Sequence, residues 1–193
     1  MNNIKKTEKK VLYIEGTSDS DNGSLRKAFT SLLEKELAGK MPHVIMGDGI
    51  SQTVDKFMSK PLLPNERRYL LIDSDQLLTE DVRSSIMNHF NDGKPNKKQD
   101  VDKTNTFFMV QEAEAWILSQ PDILEKAGVS TASMPKKDVV EIAKPSVELA
   151  RLYKNSQKEY HKVIDFVKVF PLLDSQKLRL CFEEYDRLIV TLQ

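Results

Sequence analysis

With one cysteine, Cys181, the chain excludes an internal disulfide. Helical spacing from Leu178 to Phe182 and Tyr185 predicts a buried thiol around it, a packing group and no nucleophile. Net charge is lacking as well: 29 basic residues balance 29 acidic ones, which removes the argument for a domain that holds nucleic acid by a strongly basic field. Histidine is scarce. His43, His89 and His161 fall in separate elements without ligand spacing, which argues against zinc and predicts surface or structural places for all three. No apolar run approaches the roughly 18 residues of a membrane helix, and the Lys-rich start is followed by no apolar stretch of the secretory kind. The expectation is a cytoplasmic protein with no membrane partner.

What is there suits one compact core, since 193 residues with 39% hydrophobic content can fill one. Residues 11–14, 43–46, 69–72 and 106–110 are short β-branched and aromatic runs, each followed by apolar residues at helical spacing. After the first run, Leu25, Ala28, Phe29, Leu32, Leu33 and Leu37 mark a helix capped at Ser24. The second run leads to Val54, Phe57 and Met58, the third to Val82, Ile86, Met87 and Phe90, and the fourth directly into a helix over 111–118. Strands alternating with helices predict a Rossmann-like α/β fold, a mostly parallel four-stranded sheet with helices on both faces. Beyond residue 122 the apolar spacing is helical throughout. The expected organisation is a polar tail over 1–9, an α/β core over 10–121 and a helical extension over 122–193 packed on the core as a cap.

Acids stand where three of these strands end: Glu15 after the first, Asp73 and Asp75 after the third, Glu112 and Glu114 after the fourth. In open parallel sheets functional groups gather outside the C-terminal strand ends, so these carboxylates are expected in one crevice. Crowded carboxylates either take up protons or hold a cation, and oxygen-only ligands favour Mg²⁺ or Mn²⁺. Strand alternation would return Asp75 to the side of Asp73. Glu112 and Glu114, two apart on a helix, would point in different directions, leaving open which of them faces the site. Trp116 reads as core packing.

Ile14-Glu15-Gly16-Thr17-Ser18-Asp19, followed by Leu71-Ile72-Asp73-Ser74-Asp75, resembles the Toprim signature shared by topoisomerases, primases and nucleases of the overcoming-lysogenization-defect type. Val110-Gln111-Glu112-Ala113-Glu114-Ala115-Trp116 looks like the Glu-x-Glu-Ala-Trp stretch of small Toprim-like bacterial proteins of the DUF4276 group. The resemblance implies a Toprim fold, with Glu15 as general acid/base or metal ligand, Asp73 and Asp75 holding Mg²⁺, and Asp19 with one of Glu112 or Glu114 adding to the shell. It also implies nuclease activity on DNA or RNA in bacterial anti-phage defence, beside an ABC-type ATPase. No third acid follows closely after Asp75, so the resemblance stops short of a full two-metal site.

In this reading nucleic acid approaches over Lys94, Lys97 and Lys98 in the polar stretch 91–105, whose charge offsets repulsion between phosphate and the acids. A competing expectation is a catalytically degenerate binding subunit that docks on a partner ATPase or on a second copy of itself. A third, a response-regulator-like signalling domain, lacks a suitable lysine after a later strand.

Overall fold

Each strand run folds as a strand whose alternate side chains serve two cores. The computed structural model describes residues 8–17, 19–94 and 96–193, and of Asp19 the backbone alone. Strands β1 (Lys9–Ile14), β2 (His43–Met46), β3 (Glu66–Asp73) and β4 (Thr106–Met109) form one sheet in the order β2-β1-β3-β4, every neighbouring pair parallel. Leu12, Ile14, Val44, Met46, Leu71, Phe107 and Met109 face one side, while Val11, Tyr13, Leu70, Ile72 and Phe108 face the other. That period-two division between two apolar clusters is what a sheet buried on both faces requires.

Helix α1 (Asp19–Leu37) covers the first face through Leu25, Phe29, Leu32 and Leu33. Helices α2 (Gly49–Ser59) and α3 (Glu80–Asn91) cover the second through Val54, Phe57, Met58, Ile86, Met87 and Phe90. The chain changes face where its direction along the sheet reverses, from β1 outward to β2 and then back past β1 to β3, as right-handed crossovers demand. A crevice therefore opens between the C-terminal ends of β1 and β3.

The remaining helices, α4 (Glu114–Leu118), α5 (Pro121–Lys126), α6 (Pro145–Asn155), α7 (Lys162–Val169), α8 (Ser175–Cys181) and α9 (Glu183–Leu192), share the α1 face and its core. Trp116 sits at their centre, against Phe29, Phe170, Phe182 and Tyr185. α9 also closes the β4 edge of the sheet. A Glu184 carboxylate oxygen accepts from the Phe108 N–H and Arg187 donates to the Thr106 carbonyl, bonds that a fifth strand would otherwise make. No described helix is long and apolar enough to cross a membrane.

Three expectations change. α1 starts at Asp19, so Ser24 lies inside the helix instead of capping it. The helix expected over 111–118 starts only at Glu114, because Gln111 turns the chain with φ +64°. Cys181 is exposed. The apolar spacing expected to bury it runs through Phe182, where φ −129° and ψ 104° break the helix between α8 and α9. That break turns Phe182 and Tyr185 inward without carrying Cys181 along. His43, His89 and His161 are all exposed, as expected.

Candidate metal centre

Glu15 leaves β1 at the crevice between β1 and β3. Its backbone N–H donates to the Leu71 carbonyl at 2.9 Å, continuing the ladder by one residue, and its side chain crosses to β3, where Oε2 accepts the Asp73 N–H at 3.0 Å. The next position must be glycine. A Cβ on Gly16 would stand 2.2 Å from the Asn22 Oδ1 and 2.6 Å from the Gly47 carbonyl oxygen. Asn22 occupies that space as a clamp, since its Oδ1 accepts from the Thr17 N–H and its Nδ2 donates to the carbonyls of Thr17 and Gly47, each at 3.1 Å. The loops after β1 and β2 are thereby fixed to the first turns of α1, and with them the base of Glu15.

Asp73, the last residue of β3, accepts the Ala113 N–H on Oδ1 at 3.0 Å. The loops after β3 and β4 are also joined: the Asp75 N–H donates to the Gln111 carbonyl at 2.9 Å and the Gln111 N–H to the Ser74 hydroxyl at 2.8 Å. Both Asp75 and Gln111 adopt left-handed backbone, φ +54° and +64°. Two facing residues in that region cost energy that the paired loops must hold, a feature frequent at functional sites.

These turns decide which acids meet. Glu114 faces the crevice and Glu112 does not. The Glu114 side chain is 2% exposed, and its Oε1 lies 3.5 Å from the Lys162 Nζ and within reach of the Tyr160 hydroxyl. Glu112 instead accepts the Ser146 N–H at 2.7 Å, at the start of α6, with the Lys144 Nζ 3.8 Å from its other oxygen. Asp75 does not return to the side of Asp73. Strand alternation ends at Ser74, and the left-handed turn sends the Asp75 carboxylate into solvent, 3.9 Å from Lys144. The side chain of Asp19 lies outside the described residues, as do Lys5 and Lys6 of the tail.

Glu15, Asp73 and Glu114 thus line one cleft of about 90 Å³, floored by Leu25, Phe29 and Met109, with Lys162 at its rim. Burial pushes the Glu15 carboxyl up to about 7, the Asp73 N–H opposing and the Asp75 charge adding to the rise. Burial, followed by the charges of Glu15 and Glu114, holds Asp73 well above the usual carboxylate range. Glu114 is raised by burial with Lys162 opposing. For Lys162 itself burial favours the neutral amine, but the charges of Glu114, Asp73 and Glu112 outweigh it and hold the ammonium above its ordinary value. Three acids, Glu114 buried and Glu15 and Asp73 partly so, therefore share Lys162, and the upward shift of all three marks a shortage of positive charge.

Among the described residues, no three acid, histidine or cysteine side chains are gathered closely enough to hold an ion as they stand. The donor set nevertheless suits a hard divalent cation: oxygens only, from three elements, in one cleft that is short of positive charge.

Lys94, Lys97 and Lys98 are not part of this site. α3 starts beyond the C-terminal end of β3 and returns across the sheet, so the segment after it lies at the opposite edge, where the Lys98 N–H donates to the Met58 carbonyl near the end of α2. Lys94 is paired with Asp55, and Lys97 with Asp100 at 2.7 Å. Among the described residues, Lys162, the first residue of α7, lines the cleft, while Lys144, just before α6, stands 3.9 Å from Asp75 and 3.8 Å from Glu112. Asn22, Lys144 and Lys162 were not singled out by sequence reasoning, and no motif or spacing marks them.

A family model described as a domain of unknown function (DUF4276) matches residues 14–193. No curated protein and no solved structure matches the chain.

Proposed function

The chain belongs to the DUF4276 family, and from that premise and the acid cleft we propose that it is a Mg²⁺- or Mn²⁺-dependent phosphodiester-cleaving enzyme acting on nucleic acid. The observation that carries this reading is the meeting of Glu15, Asp73 and Glu114 at the switch point of a parallel sheet, with charge left uncompensated. Asp73 and Glu114 would hold the ion, with Glu15 as a third ligand or as general acid/base, while Asp75, turned to solvent, would act on the cleft through its charge alone. The ion's contribution would be to lower the pKa of a water and to neutralise charge developing on phosphate.

The protein's own part is positional. Asn22 and Gly16 fix the turn that carries Glu15, and the Ala113 N–H orients Asp73. If Glu15 stays off the ion, its carboxyl, which burial raises to about 7 in the metal-free cleft, would suit general acid/base work on the attacking water or the leaving oxygen; bound to the ion it would be an ionised ligand instead. Lys144, exposed beside the crevice, offers positive charge to an approaching phosphate backbone. By resemblance, the enzyme would act in the cytoplasm in anti-phage defence, beside an ABC-type ATPase, with a homodimer as a further possible assembly.

The test is metal-dependent cleavage of DNA and RNA by wild type and Glu15→Gln. Wild type is expected to cleave only with Mg²⁺ or Mn²⁺, and the variant to lose activity on the order of 10²-fold or more. Equal activity of the two in pure preparations would sink the assignment. A catalytically degenerate binding subunit is the second reading, favoured by the engagement of Glu112 with Ser146 and the outward turn of Asp75. It would be preferred if no Mn²⁺ bound and no cleavage occurred even with the ATPase present.

A further inference from the structure

Lys162 is an unusual occupant of its position. It is the first residue of α7, where the helix dipole disfavours a cation, so its placement does nothing for the helix. What holds it is the acid cleft: Nζ stands 3.5 Å from Glu114, and its charge acts also on Asp73 and Glu15. It nevertheless reaches in from the rim, with 58% of its side chain in solvent. A four-carbon stem rooted at the rim can swing its ammonium outward without disturbing the core beneath. Val163 and Phe166, on the same helix, line the cleft and stay packed.

We propose that the Lys162 ammonium and a divalent cation are alternative occupants of the carboxylate cleft formed by Glu15, Asp73 and Glu114, so that the C-terminal helices set the metal affinity of the core. The inference rests on the metal-dependent reading above. In the metal-free protein Lys162 supplies the positive charge nearest Glu114; when Mg²⁺ or Mn²⁺ enters, the like charges repel, and the ammonium moves to solvent. Lys162 is a positioning residue in this scheme, since it acts on the carboxylates and not on substrate. The site would thus be kept partly neutralised until an ion arrives, and its occupancy would be linked to the conformation at the start of α7.

The experiment is Mn²⁺ titration of the full chain by calorimetry, comparing wild type, Lys162→Met and Lys162→Arg. Lys162→Met, which keeps the stem and removes the charge, is expected to bind Mn²⁺ roughly tenfold more tightly, and Lys162→Arg to stay close to wild type. An unchanged or weaker affinity in Lys162→Met overturns the proposal while leaving the metal site itself intact. Absence of Mn²⁺ binding in both proteins overturns the metal-dependent reading and this inference together. Should Lys162→Met fail to fold, reductive methylation of wild-type Lys162, read by mass spectrometry, replaces it. Saturating Mg²⁺ should raise methylation of Lys162 at least about threefold, and unchanged or reduced labelling overturns the proposal.

Discussion

Two buried charge clusters in this protein are built on opposite principles. At the β4 edge, Glu184 is met by the guanidinium groups of Arg83, at 2.6 Å, and Arg187, at 2.7 Å, and it accepts the Phe108 N–H as well. Burial alone would raise its pKa, but the hydrogen bonds from both arginines and their charges outweigh it and hold the carboxyl below its ordinary value. At the crevice, Glu15, Asp73 and Glu114 share one lysine, and all three are raised. The Glu184 cluster spends its charge on structure, fastening α9 to the sheet. The crevice keeps charge unspent, and that is the condition under which a site can bind something.

The sharpest way to break this comparison is to remove the acid of each cluster in turn. Glu184→Gln should strip the buried Arg83 and the half-buried Arg187 of their shared partner and cost about 3–5 kcal/mol, measured as a lower urea midpoint. A loss under about 1 kcal/mol would mean that the cluster is not structural. Glu15→Gln should do the reverse, leaving stability at neutral pH unchanged or higher while abolishing any metal-dependent cleavage. Removing the buried carboxylate relieves a cost instead of adding one.

The pH response should separate the clusters next. Glu15, with its folded pKa at about 7 against 4.5 for the ordinary carboxyl, holds a proton between those values that the unfolded chain releases. Stability from this group is therefore full below about pH 4.5 and falls as pH rises through about 7, by on the order of 3 kcal/mol. Glu184 has the opposite sign: its lowered folded pKa gives stability above the unfolded value that is lost as pH falls through the folded one. Urea unfolding of metal-free protein across about pH 2 to 8 checks both. Glu15→Gln should reduce the loss above about pH 5, the remainder belonging to the raised Asp73 and Glu114, and leave the acid limb in place.

The smallest effect is expected from Lys94, Lys97 and Lys98, at the other edge of the sheet. Replacing all three by Ala should change cleavage less than about twofold, since they are separated from the cleft by the length of α3 and screened by salt. A tenfold loss would place nucleic acid on that edge and return these lysines to the substrate path.

The sheet, its order of strands and helices, and the gathering of acids at its C-terminal edge were legible in the sequence because they depend on local patterns: apolar runs of strand length, helical spacing, and acids at the points where those runs stop. Glu15 and Asp73 were legible for the same reason, being one residue after and at the end of their strands. Asp75 was misdirected because a two-residue alternation was carried one step past the last strand residue, into a left-handed turn. Glu112 and Glu114 stayed undecided because a turn at Gln111, not a helix, sets their directions. Lys162 and Lys144 were invisible, since no periodicity tells which end of a distant helix abuts a strand end. Cys181 was misplaced because a helical phase was extended through Phe182, where the helix breaks.

The central claim is that the crevice lacks the positive charge which the Glu184 cluster possesses, and that a divalent ion supplies it. Thermal unfolding with and without millimolar Mg²⁺, in wild type and Asp73→Asn, addresses this directly. At about 100-fold above its dissociation constant the ion should stabilise wild type by about 2.7 kcal/mol, seen as a rise in Tm, with little or no rise in Asp73→Asn. An identical Tm for wild type with and without Mg²⁺, or an equal rise in both proteins, would contradict the account.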